Sequence, residues 1–267
     1  MLEGGKRIAG TYILQGSKKT PIVSVITIVW NCAPHIENTM LSIINQKYNN
    51  IEYIVIDGAS TDGTLEIIQK YDAQISYWLS APDEGLYDAM NKGIQAATGD
   101  YIWFINCGDM IYADDTTMNA IAGSNDADII YGETMYVNSQ YEELGTRSKL
   151  TTQQLPAELS VASLRYGMAV CHQSIIVKKE ICIPYRTQYK INADYDWEIS
   201  AVKKAKTMYN TNIILSTFLQ GGISTKQYNR GMRERWAVMC FHYGVLQTLW
   251  AHIYIVWRAI RHKALNI

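Results

Sequence analysis

A chain of 267 residues that is 48% hydrophobic and 18% charged, with a net charge of −1, has material for one large folded domain and too little charge for a disordered or polyelectrolyte segment. No internal repeat or low-complexity run is visible, which excludes solenoid and linker architectures, and no nucleic-acid partner is expected. Its five cysteines include no CxxC pair and leave one over, which favours a reducing compartment and argues against a zinc site.

Residues 1–20 hold no apolar stretch long enough for a signal peptide and are expected to be a flexible leader. Val23 to Val29 (VSVITIV) is a short run of β-branched and apolar residues, the pattern of a strand buried on both faces of a parallel sheet. Asn31 and Pro34 break it. Ile36, Met40, Ile43 and Ile44 then recur at helical spacing, and Ile51 to Ile56 makes a second buried strand ending at Asp57. Gly58 permits a tight exit, and Ser60, Thr61 and Asp62 offer capping oxygens to a helix carrying Leu65, Ile67 and Ile68. A third strand is expected at Ile75 to Leu79, then a helix from Tyr87 to Ala97 stopped by Gly99, then a fourth strand from Tyr101 to Ile105 that empties into Asn106, Cys107, Gly108 and Asp109. Strand and helix alternate without interruption, so the pattern predicts an α/β domain with a mostly parallel, Rossmann-like sheet covered by helices on both faces. Ligands of such sheets sit outside the carboxyl ends of the strands, which brings Ile28 to Asn31, Asp57, Asp83/Glu84 and Asn106 to Asp109 to one rim.

From Ile129 the alternation stops. Ile129 to Val137 reads as a strand, Thr146 to Gly167 as a long loop of the kind that serves as a lid or binding loop, Ser174 to Val177 as a strand after His172 and Gln173, and Ile213 to Phe218 as a strand that leads to Gly221 and Gly222. Between the last two, NADYDWEIS puts Asp194 at the mouth of a helix. From Lys226 onward seven Lys/Arg face one acid, a local charge of +6 against −7 for the preceding 225 residues. There Trp236, Met239, Tyr243, Leu246, Trp250, Ile253, Trp257 and Ile260 form one apolar stripe at helical spacing, which predicts an amphipathic helix of about seven turns. The domain reading is therefore a leader (1–20), a catalytic domain (21–225) and a basic helical segment (226–267). That last segment suits peripheral contact with an anionic membrane, with a spanning helix or a helix packed on the protein's own core as rivals.

The ordered set SVITIVWN, IEYIVIDGASTDGT, DEGLYDAMNKGIQAATGDYIWFINCGD, His172/Gln173 and NADYD resembles the family 2 glycosyltransferases of the GT-A fold, especially the bacterial branch that builds surface polysaccharides. The resemblance covers about Pro21 to Ser224. It implies an inverting transfer of a sugar from a nucleotide-sugar donor to a glycan or lipid-linked acceptor, on the cytoplasmic face of the membrane. It also implies that Ile28, Trp30, Asp57, Asp83 and Asn106 bind the nucleotide and that Asp194 is the catalytic base, with Asp196 its local competitor. His172 and Gln173 are candidates for acceptor or diphosphate contacts, with a core role for His172 as the alternative. The family holds Mn or Mg with an Asp-x-Asp motif, and here Asn106 and Gly108 stand where the two Asp would be, leaving Asp109 as the candidate metal ligand. That departure keeps a second reading open, a catalytically inactive nucleotide-sugar-binding subunit of an assembly complex. A nucleotidyltransferase would want a Gly-rich phosphate loop after the first strand, and VWNCAPH has none.

Overall fold

The computed structural model describes residues 1–221 and 227–265. Gly222 and the expected boundary between Ser224 and Lys226 lie outside them. The strands are β1 (Leu2–Gly4), β2 (Val23–Val29), β3 (Ile51–Asp57), β4 (Tyr77–Ser80), β5 (Tyr101–Phe104), β6 (Met110–Ile111), β7 (Ile129–Val137), β8 (Glu143–Thr146), β9 (Ile175–Lys178) and β10 (Met208–Leu219). The helices are α1 (Ala33–Ile44), α2 (Thr64–Lys70), α3 (Leu86–Ala96), α4 (Thr116–Ala122), α5 (Arg147–Leu150), α6 (Ala193–Lys204), α7 (Tyr228–Tyr243) and α8 (Val245–Leu265).

One mixed sheet runs β1-β4-β3-β2-β5-β9-β7-β10-β6, with β8 paired to β7. It is parallel across β4-β3-β2-β5 and again between β7 and β10, and antiparallel β9 joins the two blocks. The α/β class with a largely parallel central sheet expected from the sequence is thus present. Period-two alternation along the central strands feeds two cores. Ile26, Ile28, Ile54, Ile56, Ile102 and Phe104 pack on the face that carries α3 and α6. Val25, Val29, Tyr53, Val55, Tyr101 and Trp103 pack on the face that carries α1 and α2. Gly93 lets α3 approach closely, because a Cβ there would stand 2.6 Å from Ile26 Cγ2. The chain steps from β2 through β3 to β4 and then crosses back to place β5 on the other side of β2. That reversal is a topological switch point, and the crevice at the carboxyl ends of β2 and β5 is where such sheets bind ligands.

Two expectations change. The first residues are not frayed: β1 pairs antiparallel with β4 at the sheet edge, and Arg7 and Tyr12 reach the carboxylate of Glu52, which is fully buried in β3. The same carboxylate accepts Ser24 Oγ at 2.6 Å, Thr98 N–H at 2.7 Å and Gly99 N–H at 3.2 Å, so one acid ties the N-terminus, two strands and the end of α3 together. A buried charge held by this many donors is a structural staple.

The second change concerns the tail. Gly244, with φ +81°, ends α7 and splits the expected seven-turn helix into two. A left-handed glycine is a common helix stop, and the continuous stripe across it concealed the break. α7 belongs to the domain: Val238 and Met239 are buried in the α3/α6 core. Asp196 and His242, both essentially buried, bond at 2.8 Å with Arg186 alongside. Asp196 is thereby committed to joining α6 to α7, which removes it as a competitor for proton abstraction.

Candidate active site

The β2 and β3 exits brace each other before any ligand arrives. Asn31, held at φ +46°, donates its N–H to Ser60 Oγ at 2.8 Å and accepts Thr61 N–H on Oδ1 at 2.9 Å. Cys32 N–H reaches Thr64 Oγ1, and Ala33 N–H reaches Asp62 Oδ2, both at 3.0 Å. The GASTDGT string therefore supplies hydroxyl and carboxylate partners to the neighbouring loop, a role its composition suggested only for capping its own helix.

This bracing absorbs Asp57. Its side chain is fully buried, and it accepts Ser60 N–H and Ser60 Oγ on one side and Ser80 Oγ, at 2.6 Å, on the other. Both oxygens thus already have partners within the chain, and the capping role describes this geometry. Ile28 is likewise in the core, facing α3, and does not line the crevice. Trp30 is different: 68% of its surface is exposed at the rim.

Asp83 stands beside Trp30. Its Oδ1 accepts Gly85 N–H at 2.8 Å, while Oδ2 accepts nothing from a described residue and lies over Gly58. A Cβ on Gly58 would stand 2.6 Å from Asp83 Oδ2 and 3.2 Å from Trp30 Cδ1, so the absent side chain is what lets the carboxylate and the indole pack directly onto the β3 exit. Asn106 contributes a buried side-chain oxygen, Oδ1, with no hydrogen-bond partner. Buried acceptors are rarely left so.

Asp109 is a clamp. Its carboxylate accepts Gln173 Nε2 at 2.6 Å and Leu219 N–H at 3.0 Å, and its backbone oxygen accepts Thr39 Oγ1 at 2.8 Å, so it fastens β10 and the segment before β9 to the β5 exit. Burial pushes its carboxyl up to about 7, with those two donors opposing. Gln173 is committed to this clamp, and its backbone oxygen also accepts Trp103 Nε1 at 2.8 Å. His172 is buried, bonds Tyr185 OH through Nε2 at 2.6 Å and packs among Phe104, Tyr185 and Trp197; burial pulls it down to about 4, so it is neutral. Neither side chain of this pair reaches the crevice.

These placements test the implied divalent metal. A hard cation wants several convergent oxygens. Both carboxylate oxygens of Asp109 are taken, Gly108 offers no side chain, and no three His, Cys, Asp or Glu side chains converge among the described residues. The residues do not form a carboxylate cage, and Asn106 Oδ1 is the side-chain oxygen of the Asn-Cys-Gly-Asp stretch that has no hydrogen-bond partner among the described residues.

Asp194 lies in the first turn of α6, and its carboxylate accepts Tyr195 N–H at 2.8 Å. Burial pushes it up to about 6, against the Tyr195 amide and the Tyr87 hydroxyl, which favour the charged form. Tyr87 OH, close to Asp194, donates its proton to Ile191 O at 2.8 Å, so α3, which starts just after Asp83, reaches directly to the segment before Asp194. From the other side Glu234 of α7 accepts the N–H groups of Lys190, Ile191 and Asn192 at 2.7–3.2 Å. Sequence reasoning treated that acid as an isolated exception in a basic tail, whereas it anchors the approach to Asp194. A cavity of about 190 Å³ opens here, lined by Glu84, Tyr87, Asp88, Lys190, Ile191 and Arg230 among others.

Comparison with known proteins adds the lineage. A family model described as "Glycosyl transferase family 2" matches residues 24–183. A "PGL/p-HBAD biosynthesis glycosyltransferase" of Mycobacterium bovis is 27% identical over 226 residues, covering 80% of this chain and 84% of that protein. Among solved structures, S. aureus TarS 1–349 in complex with UDP superposes with a TM-score of 0.61 at 18% identity, covering 83% of this chain and 66% of that one. The mannosyltransferase PcManGT from Pyrobaculum calidifontis, in complex with GDP-Man and Mn²⁺, gives a TM-score of 0.62 at 18% identity, covering 89% of this chain and 72% of that one. At such identities the two structures speak for the fold.

Proposed function

The chain belongs to glycosyl transferase family 2, and on that premise we propose that it is an inverting enzyme that moves a sugar from a nucleotide-sugar donor to a hydroxyl of a glycan or lipid-linked acceptor in polysaccharide assembly, on the cytoplasmic face of the cell membrane. The observation that carries this reading is the pairing, through α3 and Tyr87, of the exposed Trp30 indole and the Asp83 carboxylate, packed together on Gly58 at the rim, with a carboxyl pushed up to about 6 at Asp194. In this reading the base lies along Trp30, Asp83 Oδ2 accepts a base N–H or ribose hydroxyl, and Asn106 Oδ1 accepts a ligand hydroxyl. Asp194 removes the proton of the acceptor hydroxyl as its oxygen bonds to the anomeric carbon and the bond to the nucleoside diphosphate breaks. The proton ends on Asp194, the electron pair leaves with the diphosphate, and single displacement inverts the carbon. Asp57, Asp109, His172 and Gln173 are positioning residues. No step is assigned to a metal. The bound UDP and GDP-Man of the structural neighbours, and the biosynthetic name of the mycobacterial relative, support a nucleotide-sugar donor.

A panel of nucleotide sugars is expected to contain one that raises the melting temperature by about 5 °C or more at a hundredfold excess over its Kd, by mass action. Gly58→Ala should keep the unliganded melting temperature and weaken that ligand about tenfold, since the new methyl must displace the Asp83 carboxylate. If no nucleotide sugar shifts the wild type, the donor assignment fails. If the ligand binds and no acceptor preparation is ever glycosylated, the binding-subunit reading replaces the enzyme, a possibility that the altered Asp-x-Asp position keeps specific.

A further inference from the structure

α8 bears a face that the rest of the protein leaves bare. Leu246, Trp250, Ile253, Trp257 and Ile260 recur at intervals of three and four residues and are 51–76% exposed, while Thr248 and Ala251 on the inner side are buried. Large apolar side chains exposed in series along one helix face are the pattern of an interaction surface. Charge decides what it fits. After Glu234 the chain holds no Asp or Glu. Cations stand at both ends of the strip: Arg186 lies 4.1 Å over the exposed ring of Phe241, just before Gly244, and Arg261 lies 5.5 Å over Trp257. No described helix is long and apolar enough to cross a membrane.

We propose that α8, with Phe241 at its head, is a docking face for an anionic lipid bilayer, lying in the plane of the headgroups with the tryptophans at the acyl boundary. Trp and Arg flanking an apolar stripe match the two layers of that interface, and each cation gains from the anionic surface. A second copy of the chain fits less well: Arg186 already has Asp196 beside it, but a two-fold contact would bury Arg261 at a helix face that offers no acid to answer it. The position of α8 deepens the proposed function and rests on it for what docking achieves. Arg258 donates to Gln153 Oε1 at 3.4 Å and to Tyr166 O at 3.2 Å, and Tyr254 packs on Tyr166 with ring centroids 4.5 Å apart. The helix therefore holds Gln153 and Tyr166, within the Thr146 to Gly167 stretch expected to serve as a lid or binding loop, beside the bilayer, where the acceptor would be a hydroxyl of a lipid-borne sugar.

The test is sedimentation of the full chain with vesicles of phosphatidylcholine alone and of phosphatidylcholine with phosphatidylglycerol. Because α7 carries Glu234 and His242, truncation would damage the domain, so the comparison uses Trp250→Glu/Ile253→Glu, whose positions are exposed. The full chain is expected to pellet with the anionic vesicles and to be partly released by salt. The double variant should bind about a hundredfold more weakly with an unchanged melting temperature. A full chain that stays in the supernatant with anionic vesicles overturns the proposal. So does a dimer, seen by light scattering, that the double variant dissociates in the absence of vesicle binding, because the face then serves a second copy. The nucleotide-sugar panel run on the same samples separates the two readings: vesicle binding without any nucleotide-sugar binding sustains the docking face and removes the glycosyl-transfer reading.

Discussion

Replacing Asp194 by Asn is expected to lower the transfer rate by about 10²-fold to 10⁴-fold while leaving donor affinity unchanged, the signature of a lost general base. Asn keeps the shape and can still accept the Tyr195 N–H, so the fold has no reason to change. The pH dependence adds a second readout. The base must be ionised, and burial places it at about 6, so the wild-type rate should rise with pH through that value and the residual rate of the variant should not. Stability should move the other way. The folded carboxyl titrates above its ordinary value of 3.8, so its stabilising contribution is full below that value and is lost as pH rises through about 6. Asp194→Asn should therefore be as stable as the wild type at neutral pH, or slightly more so, as expected of a site held for chemistry. A variant rate within about threefold of wild type would remove Asp194 from the reaction.

The largest stability effect is expected at Glu52. Glu52→Ala strands Ser24 Oγ, Thr98 N–H, Gly99 N–H, Tyr12 OH and the Arg7 guanidinium together, at a cost of about 3–5 kcal/mol and a fall in melting temperature of about 10 °C. The acid limb has the opposite sign to that of Asp194. Burial alone would raise the Glu52 carboxyl, but the hydrogen bonds from Ser24, Thr98 and Tyr12 prevail and hold it down at about 2. Its contribution is then complete above its ordinary value of 4.5 and drains away as pH falls from there toward 2. Unfolding followed against pH should show the wild type losing stability in that window and Glu52→Ala losing less. A change in melting temperature below about 2 °C would mean that the N-terminal strap contributes little.

The sheet was readable because its centre obeys local rules: short apolar runs, glycine and proline at the exits, and helical spacing between them place β2 to β5 and the crevice without tertiary information. Most of what escaped the sequence has one physical origin, partners distant along the chain. Asp57 looked like a free strand-end carboxylate because Ser80, which occupies one side of it, lies 23 residues away. Asp109 looked like a metal ligand because Gln173 and Leu219, which take its two oxygens, lie 64 and 110 residues on. Glu52, inside an apolar strand, carried no sign of the Arg7 and Tyr12 that meet it. The tail misled for another reason, since a stripe that is continuous in spacing need not be continuous in backbone, and Gly244 was the visible clue. Trp30 is exposed and Asp83 packs beside it at the rim, and Asn106 Oδ1 meets no partner among the described residues, so their assignment to the nucleotide belongs to the proposed function.

The central claim, sugar transfer to a hydroxyl by single displacement, is tested most directly by the anomeric configuration of the product. With the donor found by the panel and an acceptor that it glycosylates, proton NMR of the new glycosidic linkage early in the reaction should show the configuration opposite to that of the donor, with one nucleoside diphosphate released per linkage formed. Retention of the donor configuration, or nucleoside diphosphate released to water at the same rate with and without acceptor, would contradict it.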